Sequence, residues 1–147
     1  MKLFQDTDFD GIEGYVIFLD IDGTLSNDDE AVLSEKTVAK VAQMKRKNEV
    51  HLCSNSRNHD RNRKVGELAG VDYLDTDLRK PSRKLLGLVE HHAEAKRLVI
   101  GDKFLTDGIF ARRIKARFIK VKRIESERDR FYIKFLYWID DLVSKII

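Results

Sequence analysis

The chain has one cysteine, one proline and no long apolar run, and each scarcity excludes something. The lone Cys53 cannot form an intramolecular disulfide, which suits a reducing compartment. The longest unbroken apolar stretches, residues 15–19 and 135–139, are far shorter than the ~20 residues that a membrane-spanning helix needs. The first ten residues are acidic, whereas a secretion signal is basic and then apolar. We therefore expect a cytoplasmic protein.

Neither sign of charge dominates the sequence. Lys and Arg number 28 against 25 Asp and Glu, so the net charge is only +3. This balance indicates neither nucleic acid nor an anionic surface as a partner. The 147 residues, 42% of them hydrophobic, suit one folded domain over residues 1–147 and argue against a disordered chain.

Short apolar runs predict the strands. Residues 15–21 (YVIFLDI) are bulky and β-branched almost throughout, which is typical of a strand buried in a parallel sheet. Similar but shorter runs predict strands at residues 50–53, 73–74, 98–100 and 118–121.

Between these runs the apolar residues recur at helical spacing. Ser34 is a predicted N-cap for a helix that continues to about residue 47. A second helix is predicted over His59–Ala69, because Gly70 is typical of the position after a helix end. Further helices are predicted from a first turn at Pro81 and from a cap at Thr106. The alternation predicts an α/β fold, a three-layer Rossmann-like parallel sheet with helices on both faces.

Polar side chains follow the predicted strands, and ligands of such sheets bind at the carboxyl ends of the strands. Two carboxylates two residues apart on an extended strand end point the same way and repel unless a cation or proton lies between them. Oxygen ligands favour Mg²⁺ over zinc, for which a Cys and His set is missing. The polar residues at these strand ends are Asp20, Asp22, Ser54, Asn55 and Asp102, with Lys80 and Asp107 at predicted helix starts.

In this order the motifs resemble those of the haloacid dehalogenase-like (HAD) superfamily. Residues 20–25 (DIDGTL) resemble its first motif, Ser54 its second and Lys80 its third, and residues 101–107 (GDKFLTD) resemble its fourth. The resemblance runs from about residue 14 to the end. It is closest to subfamily IIIA, which includes phosphatidylglycerophosphate phosphatases and YqeG-type proteins, although Gly23 stands where that branch commonly has asparagine.

The resemblance implies a phosphatase that works through an aspartyl-phosphate intermediate. Asp20 would be the nucleophile, and Asp22 the general acid and then the general base. Mg²⁺ would be held by the carboxylates of Asp20 and Asp102 and by the backbone carbonyl of Asp22.

The remaining motif residues would bind the phosphoryl group or support the site. Ser54 and Asn55 would bind phosphoryl oxygens, and Lys80 would neutralise charge on the nucleophile and the phosphate. The resemblance gives Thr24 and Asp107 supporting roles, Asp107 by orienting Lys80 or a metal-bound water.

Two features leave alternatives open. The basic cluster after Ser54 is either a solvated helix face or a rim that attracts an anionic substrate; its members are Arg57, Arg61, Arg63 and Lys64. No stretch is long enough for a cap domain. A capless site suits a large substrate, such as a lipid headgroup, a protein or a nucleic-acid end, unless a homo-oligomer supplies the lid.

The C-terminal residues 131–147 (FYIKFLYWIDDLVSKII) predict an amphipathic helix with a broad aromatic and aliphatic side. Such a helix either docks on the core or in a dimer, or lies at a membrane interface. Asp140 and Asp141 count against an anionic membrane.

Three functions follow from these predictions. The first is a Mg²⁺-dependent phosphatase of a phosphorylated lipid such as phosphatidylglycerophosphate. The second is a phosphatase of a sugar phosphate, nucleotide, phosphoprotein or nucleic-acid end. The third is a HAD-fold binding module without turnover, which the intact pair of Asp20 and Asp22 disfavours.

Overall fold

The computed structural model describes residues 1–89, 94–125 and 131–146, apart from the side chains of residues 131–133. The strands of its sheet are β1 (Tyr15–Leu19), β2 (Glu49–Leu52), β3 (Asp72–Tyr73), β4 (Lys96–Gly101) and β5 (Arg117–Lys120). All neighbours pair in parallel, in the order β3-β2-β1-β4-β5. The chain leaves β1 toward one edge and later crosses to β4 on the other side. The carboxyl ends of β1 and β4 therefore flank a switch point, where open α/β sheets bind ligands.

The predicted strands are confirmed, with shifted ends. The predictions at residues 50–53, 73–74 and 118–121 each begin one residue late. β1 ends at Leu19 rather than Ile21, because the Ile21 carbonyl accepts hydrogen bonds from the N–H groups of Thr24 and Leu25 in a tight turn.

Two of the predicted helix boundaries are confirmed by their caps. Helix α1 (Glu35–Lys45) begins after Ser34, whose side chain accepts a hydrogen bond from the N–H of Thr37 at 3.1 Å. Helix α2 (His59–Ala69) ends at Gly70, which has the left-handed conformation that glycine adopts without strain. The other helices are α3 (Ile109–Arg113), α4 (Phe131–Ile146), the 3₁₀-helices Phe4–Asp6 and Arg83–Leu88, and the π-helix Phe104–Gly108.

Two predicted helix starts were wrong. Pro81 precedes a 3₁₀-helix that begins at Arg83, because the Ser82 hydroxyl caps the N–H of Lys84 and Gly87 weakens a longer α-helix. Thr106 caps nothing and lies inside the π-helix that leads into α3. The predicted end of the third helix at residues 91–92 lies outside the described residues.

The core occupies both faces of the sheet. Ile17 and Leu19 point to one face and pack with α1 and α2. Phe18 points to the other, where it meets the 3₁₀-helix at Leu85 and contacts Phe110 of α3 edge to face, with ring centroids 5.3 Å apart. The three-layer α/β arrangement is therefore confirmed.

Helix α4 lies beside the carboxyl edge of the sheet with its polar side inward. Asp140 is 2% exposed and binds the start of the π-helix, whereas Phe135, Leu136 and Trp138 are about half exposed. The helix thus docks through its acidic side. None of the described helices is long and apolar enough to cross a bilayer.

Candidate active site

Three buried carboxylates meet at the switch point between β1 and β4. Asp20 follows β1, Asp102 follows β4 and Asp107 lies in the π-helix, and one oxygen of each lies within 4.8 Å of the others. Lys80 lies in the segment before the 3₁₀-helix Arg83–Leu88, and its side chain reaches these carboxylates. Its Nζ donates hydrogen bonds to Asp20 Oδ1 at 2.8 Å and to Asp107 Oδ1 at 2.6 Å. The fold therefore brings together four residues that the sequence predicts from two strand ends (Asp20 and Asp102) and two helix starts (Lys80 and Asp107).

The electrostatics of this cluster favour a cation. Burial, reinforced by the carboxylates of Asp20 and Asp107, holds the pKa of Asp102 well above its ordinary range. Burial also raises the pKa of Asp107 to about 7, with Asp20 adding to the rise and Lys80 opposing it. Burial alone would lower the pKa of Lys80, but Asp107 and Asp20 outweigh it and raise the pKa well above its usual value. The single positive charge of Lys80 is thus too small to balance the negative charge of three carboxylates.

The oxygen atoms of Asp102 fit a metal ion. Asp102 Oδ2 is buried and has no hydrogen-bond partner within the described part of the chain. The hydroxyl of Thr24 lies 3.4 Å from Asp102 Oδ1 and 3.2 Å from Asp20 Oδ2, and so bridges the two carboxylates. An orphaned carboxylate oxygen among two further carboxylates is what a divalent cation coordinates. The three aspartates can therefore hold a metal ion.

Two glycines make room for these carboxylates. A Cβ on Gly23 would lie 2.4 Å from Asp102 Oδ2, and a Cβ on Gly101 would lie 2.2 Å from Asp107 Oδ2. The sequence does not predict this space-making role for either glycine. Both are positions where the backbone must approach a carboxylate closely.

Asp22 lines the same cavity as Asp20 but has its own partners. The Ser54 hydroxyl donates to Asp22 Oδ2 at 3.2 Å, and the N–H of Asp29 donates to Oδ1 at 3.2 Å. The Arg61 guanidinium also donates to Asp22 Oδ1. The carboxylate of Asp22 is therefore held by these three donors and is not one of the three grouped carboxylates that could hold a metal ion.

Arg61 is a site residue that sequence reasoning left undecided. Its guanidinium is buried and also donates to the carbonyls of Glu30 at 2.8 Å and Asn27 at 3.2 Å. Arg63, by contrast, pairs at the surface with Asp60 and Asp75. Arg57 and Lys64 are exposed. The basic cluster thus splits into one buried site residue and a solvated face.

The amide of Asn55 is committed to the backbone of Lys80. Its Oδ1 accepts from the Lys80 N–H at 2.7 Å, and its Nδ2 donates to the Lys80 carbonyl at 3.0 Å. Asn55 also lines the cavity of Asp20 and Asp22, and its two bonds fix the backbone of Lys80.

One wall of this cavity comes from α4, which the sequence did not connect to the site. Tyr137 lines a cavity of about 80 Å³ together with Asp20, Asp22 and Lys80. Burial raises the pKa of Tyr137 above its ordinary value, and nearby Asp102 adds to the rise, so its hydroxyl stays protonated. No local sequence pattern marks Tyr137, because the residues with which it lines the cavity lie far from it in the sequence.

Comparisons with protein-family models, curated proteins and solved structures found no match to this chain. The class of this protein is therefore defined by its fold and its site alone. The chain is an α/β protein with a parallel sheet and a buried acidic site, able to hold a metal ion, at the carboxyl edge of its central strands.

Proposed function

We propose that the protein is a Mg²⁺-dependent phosphomonoester hydrolase of the HAD type with Asp20 as its nucleophile. One observation carries the proposal: the buried Asp20 carboxylate lies between the Lys80 ammonium and the metal-competent oxygens of Asp102. A nucleophile for phosphorus needs this neutralisation, because the phosphate that approaches it is itself an anion.

Mg²⁺ suits the site because its ligands would all be oxygens. The carboxylates of Asp20 and Asp102 and the backbone carbonyl of Asp22 would hold it, while Asp107 stays bonded to Lys80. When bound, the ion neutralises phosphoryl charge and acts as a Lewis acid.

The chain's own residues supply the two halves of the reaction. A carboxylate oxygen of Asp20 attacks phosphorus and the bond to the leaving oxygen breaks, while Asp22 gives that oxygen a proton. Water then attacks phosphorus, Asp22 takes its proton, and the Asp20 carboxylate and phosphate are released. The Ser54 hydroxyl, which donates to Asp22 in the structure, turns to donate to a phosphoryl oxygen when the ester binds, and Lys80 offsets the negative charge on the transferred group.

Turnover of a generic phosphomonoester tests the proposal. We expect the full chain to hydrolyse p-nitrophenyl phosphate with Mg²⁺ and to stop when the ion is chelated. Asp20→Asn should reduce the rate to background, while the matched surface variant Asp72→Asn keeps it. Phosphate binding without turnover would overturn the proposal in favour of a binding module. A panel of phosphorylated lipids, sugars, nucleotides, peptides and nucleic-acid ends then identifies the substrate.

A further inference from the structure

The catalytic cavity opens beside a larger groove. The cavity of about 80 Å³ is far smaller than the ~300 Å³ at which ligand pockets begin, so it has room for a transferred group and little else. The adjoining groove measures about 490 Å³ and shares Asp102 and Tyr137 with the cavity. A leaving group that extends from the phosphorus therefore has this groove as a neighbouring space.

Helix α4 and the segment after β5 form the walls of the groove. Tyr137 lines both the groove and the cavity, and two cations lie close to its ring. Arg123 Cζ lies 3.8 Å and Lys103 Nζ 4.6 Å from the ring centroid. Trp138 lines the outer part of the groove, is 59% exposed and stacks on Phe135. The aromatic side chains of Tyr137 and Trp138 thus line the groove that leads away from the reacting centre.

Helix α4, one wall of the groove, is attached to the segment after β4 that carries Asp102. Asp140 of α4 accepts hydrogen bonds from the N–H groups of Phe104 at 2.8 Å and Leu105 at 2.9 Å. These residues directly follow Asp102 and Lys103 in the chain. A buried carboxylate with two backbone donors is a firm attachment, so Tyr137 is held in a defined place relative to the reacting centre.

Charge of one sign does not mark the groove for a particular occupant, because both basic and acidic side chains line it. The basic side chains are Lys122, Arg123 and Lys134, and the acidic ones are Asp102, Glu125 and Asp141. Since neither sign prevails, the aromatic surfaces are what distinguish this groove from ordinary protein surface.

We propose that this groove is the leaving-group subsite and that Tyr137 is its specificity-determining residue. The inference rests on the proposed phosphatase activity and adds a substrate class to it. The preferred substrates are phosphomonoesters with a large planar or apolar leaving group, and small alcohol phosphates are poor substrates. Helix α4 thus does in this chain what a separate cap would do, by covering one side of an open site.

Phenyl phosphate and 2-naphthyl phosphate test the subsite, because their leaving groups differ in size and hardly in acidity. We expect wild-type kcat/KM to favour the naphthyl ester by about tenfold. Tyr137→Ala and Trp138→Ala should each remove most of this preference, chiefly through KM, whereas Tyr137→Phe should keep it. Leu136→Ala is the matched control, since Leu136 is exposed on the same helix and lies outside the groove.

The outcomes separate this inference from the proposed function. Equal wild-type kcat/KM for the two esters, or an equal loss on both esters in the tyrosine and tryptophan variants, would overturn the subsite while leaving the phosphatase intact. Failure of the wild type to hydrolyse either ester would overturn both. If Tyr137→Ala does not fold by circular dichroism, Trp138→Ala decides, because an exposed side chain is removed there at little cost to stability.

Discussion

The buried guanidinium of Arg61 donates a hydrogen bond to the carboxylate of Asp22, which lies 39 residues earlier in the chain. The same guanidinium binds the carbonyls of Asn27 and Glu30, so it joins α2 to the loop that follows the first motif. A planar group with five donors can satisfy such a set, whereas a lysine cannot. In the proposed reaction, Arg61 thereby aims the general acid.

Arg61→Met should damage proton transfer more than binding. We expect kcat/KM, which reports the transfer of the phosphoryl group to Asp20, to fall at least tenfold further for an alkyl phosphate than for p-nitrophenyl phosphate, because p-nitrophenolate leaves without a proton. Removing one partner of a buried pair should also lower the free energy of unfolding by about 3 kcal/mol. Steady-state kinetics and urea unfolding measure both effects. Arg63→Met is the control, because Arg63 pairs with Asp60 and Asp75 at the surface, where ion pairs contribute little to stability. Equal falls in kcat/KM for both esters would refute the aiming role.

Asp140→Asn should loosen the loop that carries Asp102. An amide oxygen replaces only one of the two carboxylate acceptors that now receive the N–H groups of Phe104 and Leu105. We expect a loss of about 1–2 kcal/mol in the free energy of unfolding and a weaker apparent affinity for Mg²⁺. Unfolding by urea and a titration of activity with Mg²⁺ check the two effects. Lys145→Gln, an exposed change on the same helix, should alter neither; an unchanged Mg²⁺ titration in Asp140→Asn would contradict the account.

Gly101→Ala tests the space that the carboxylates need. The new Cβ would stand 2.2 Å from Asp107 Oδ2, so the Asp107 side chain, which binds Lys80 through Oδ1, must shift. We expect a cost of about 1–3 kcal/mol and the loss of most activity. Gly87→Ala is the matched control, because a Cβ there meets nothing within 4 Å. An active, stable Gly101→Ala protein would show that Asp107 has no fixed place in the site.

The pH dependence of stability follows from the raised pKa of Asp107. In the unfolded chain this group titrates near 3.9, whereas in the fold, without a metal, its pKa is about 7. Between these values the folded state holds more protons, so the free energy of unfolding falls as pH rises from about 4 to 7, by on the order of a few kcal/mol. Urea midpoints at several pH values should show this slope. Asp107→Asn should make this slope shallower, and the rest of it comes from Asp102, whose pKa burial also raises. Saturating Mg²⁺ should flatten the slope. An equal slope in the wild type and in Asp107→Asn would contradict the assignment.

Strand ends and their carboxylates were predictable because both depend on local pattern. A buried run followed at once by Asp20, and a second followed by Asp102, is visible in the sequence, and a parallel sheet brings such ends together. Arg61 and Asp140 were not assignable, because each acts on a residue more than 30 positions away through a contact that only the tertiary fold creates. The start at Thr106 failed for the same reason, since the π-helix that contains Thr106 begins where Asp140 of α4 binds the N–H groups of Phe104 and Leu105.

The most direct test of the central claim is to trap the phosphorylated enzyme. Borohydride reduces an acyl phosphate on aspartate to homoserine, so quenching during turnover of p-nitrophenyl phosphate should convert one aspartate, located by peptide mass spectrometry. The account predicts homoserine at position 20, only with Mg²⁺ and substrate present, and more of it in Asp22→Asn, because the second half of the reaction loses its base. Hydrolysis that proceeds with no trapped product at Asp20 in either protein, or with the product at another aspartate, would contradict it.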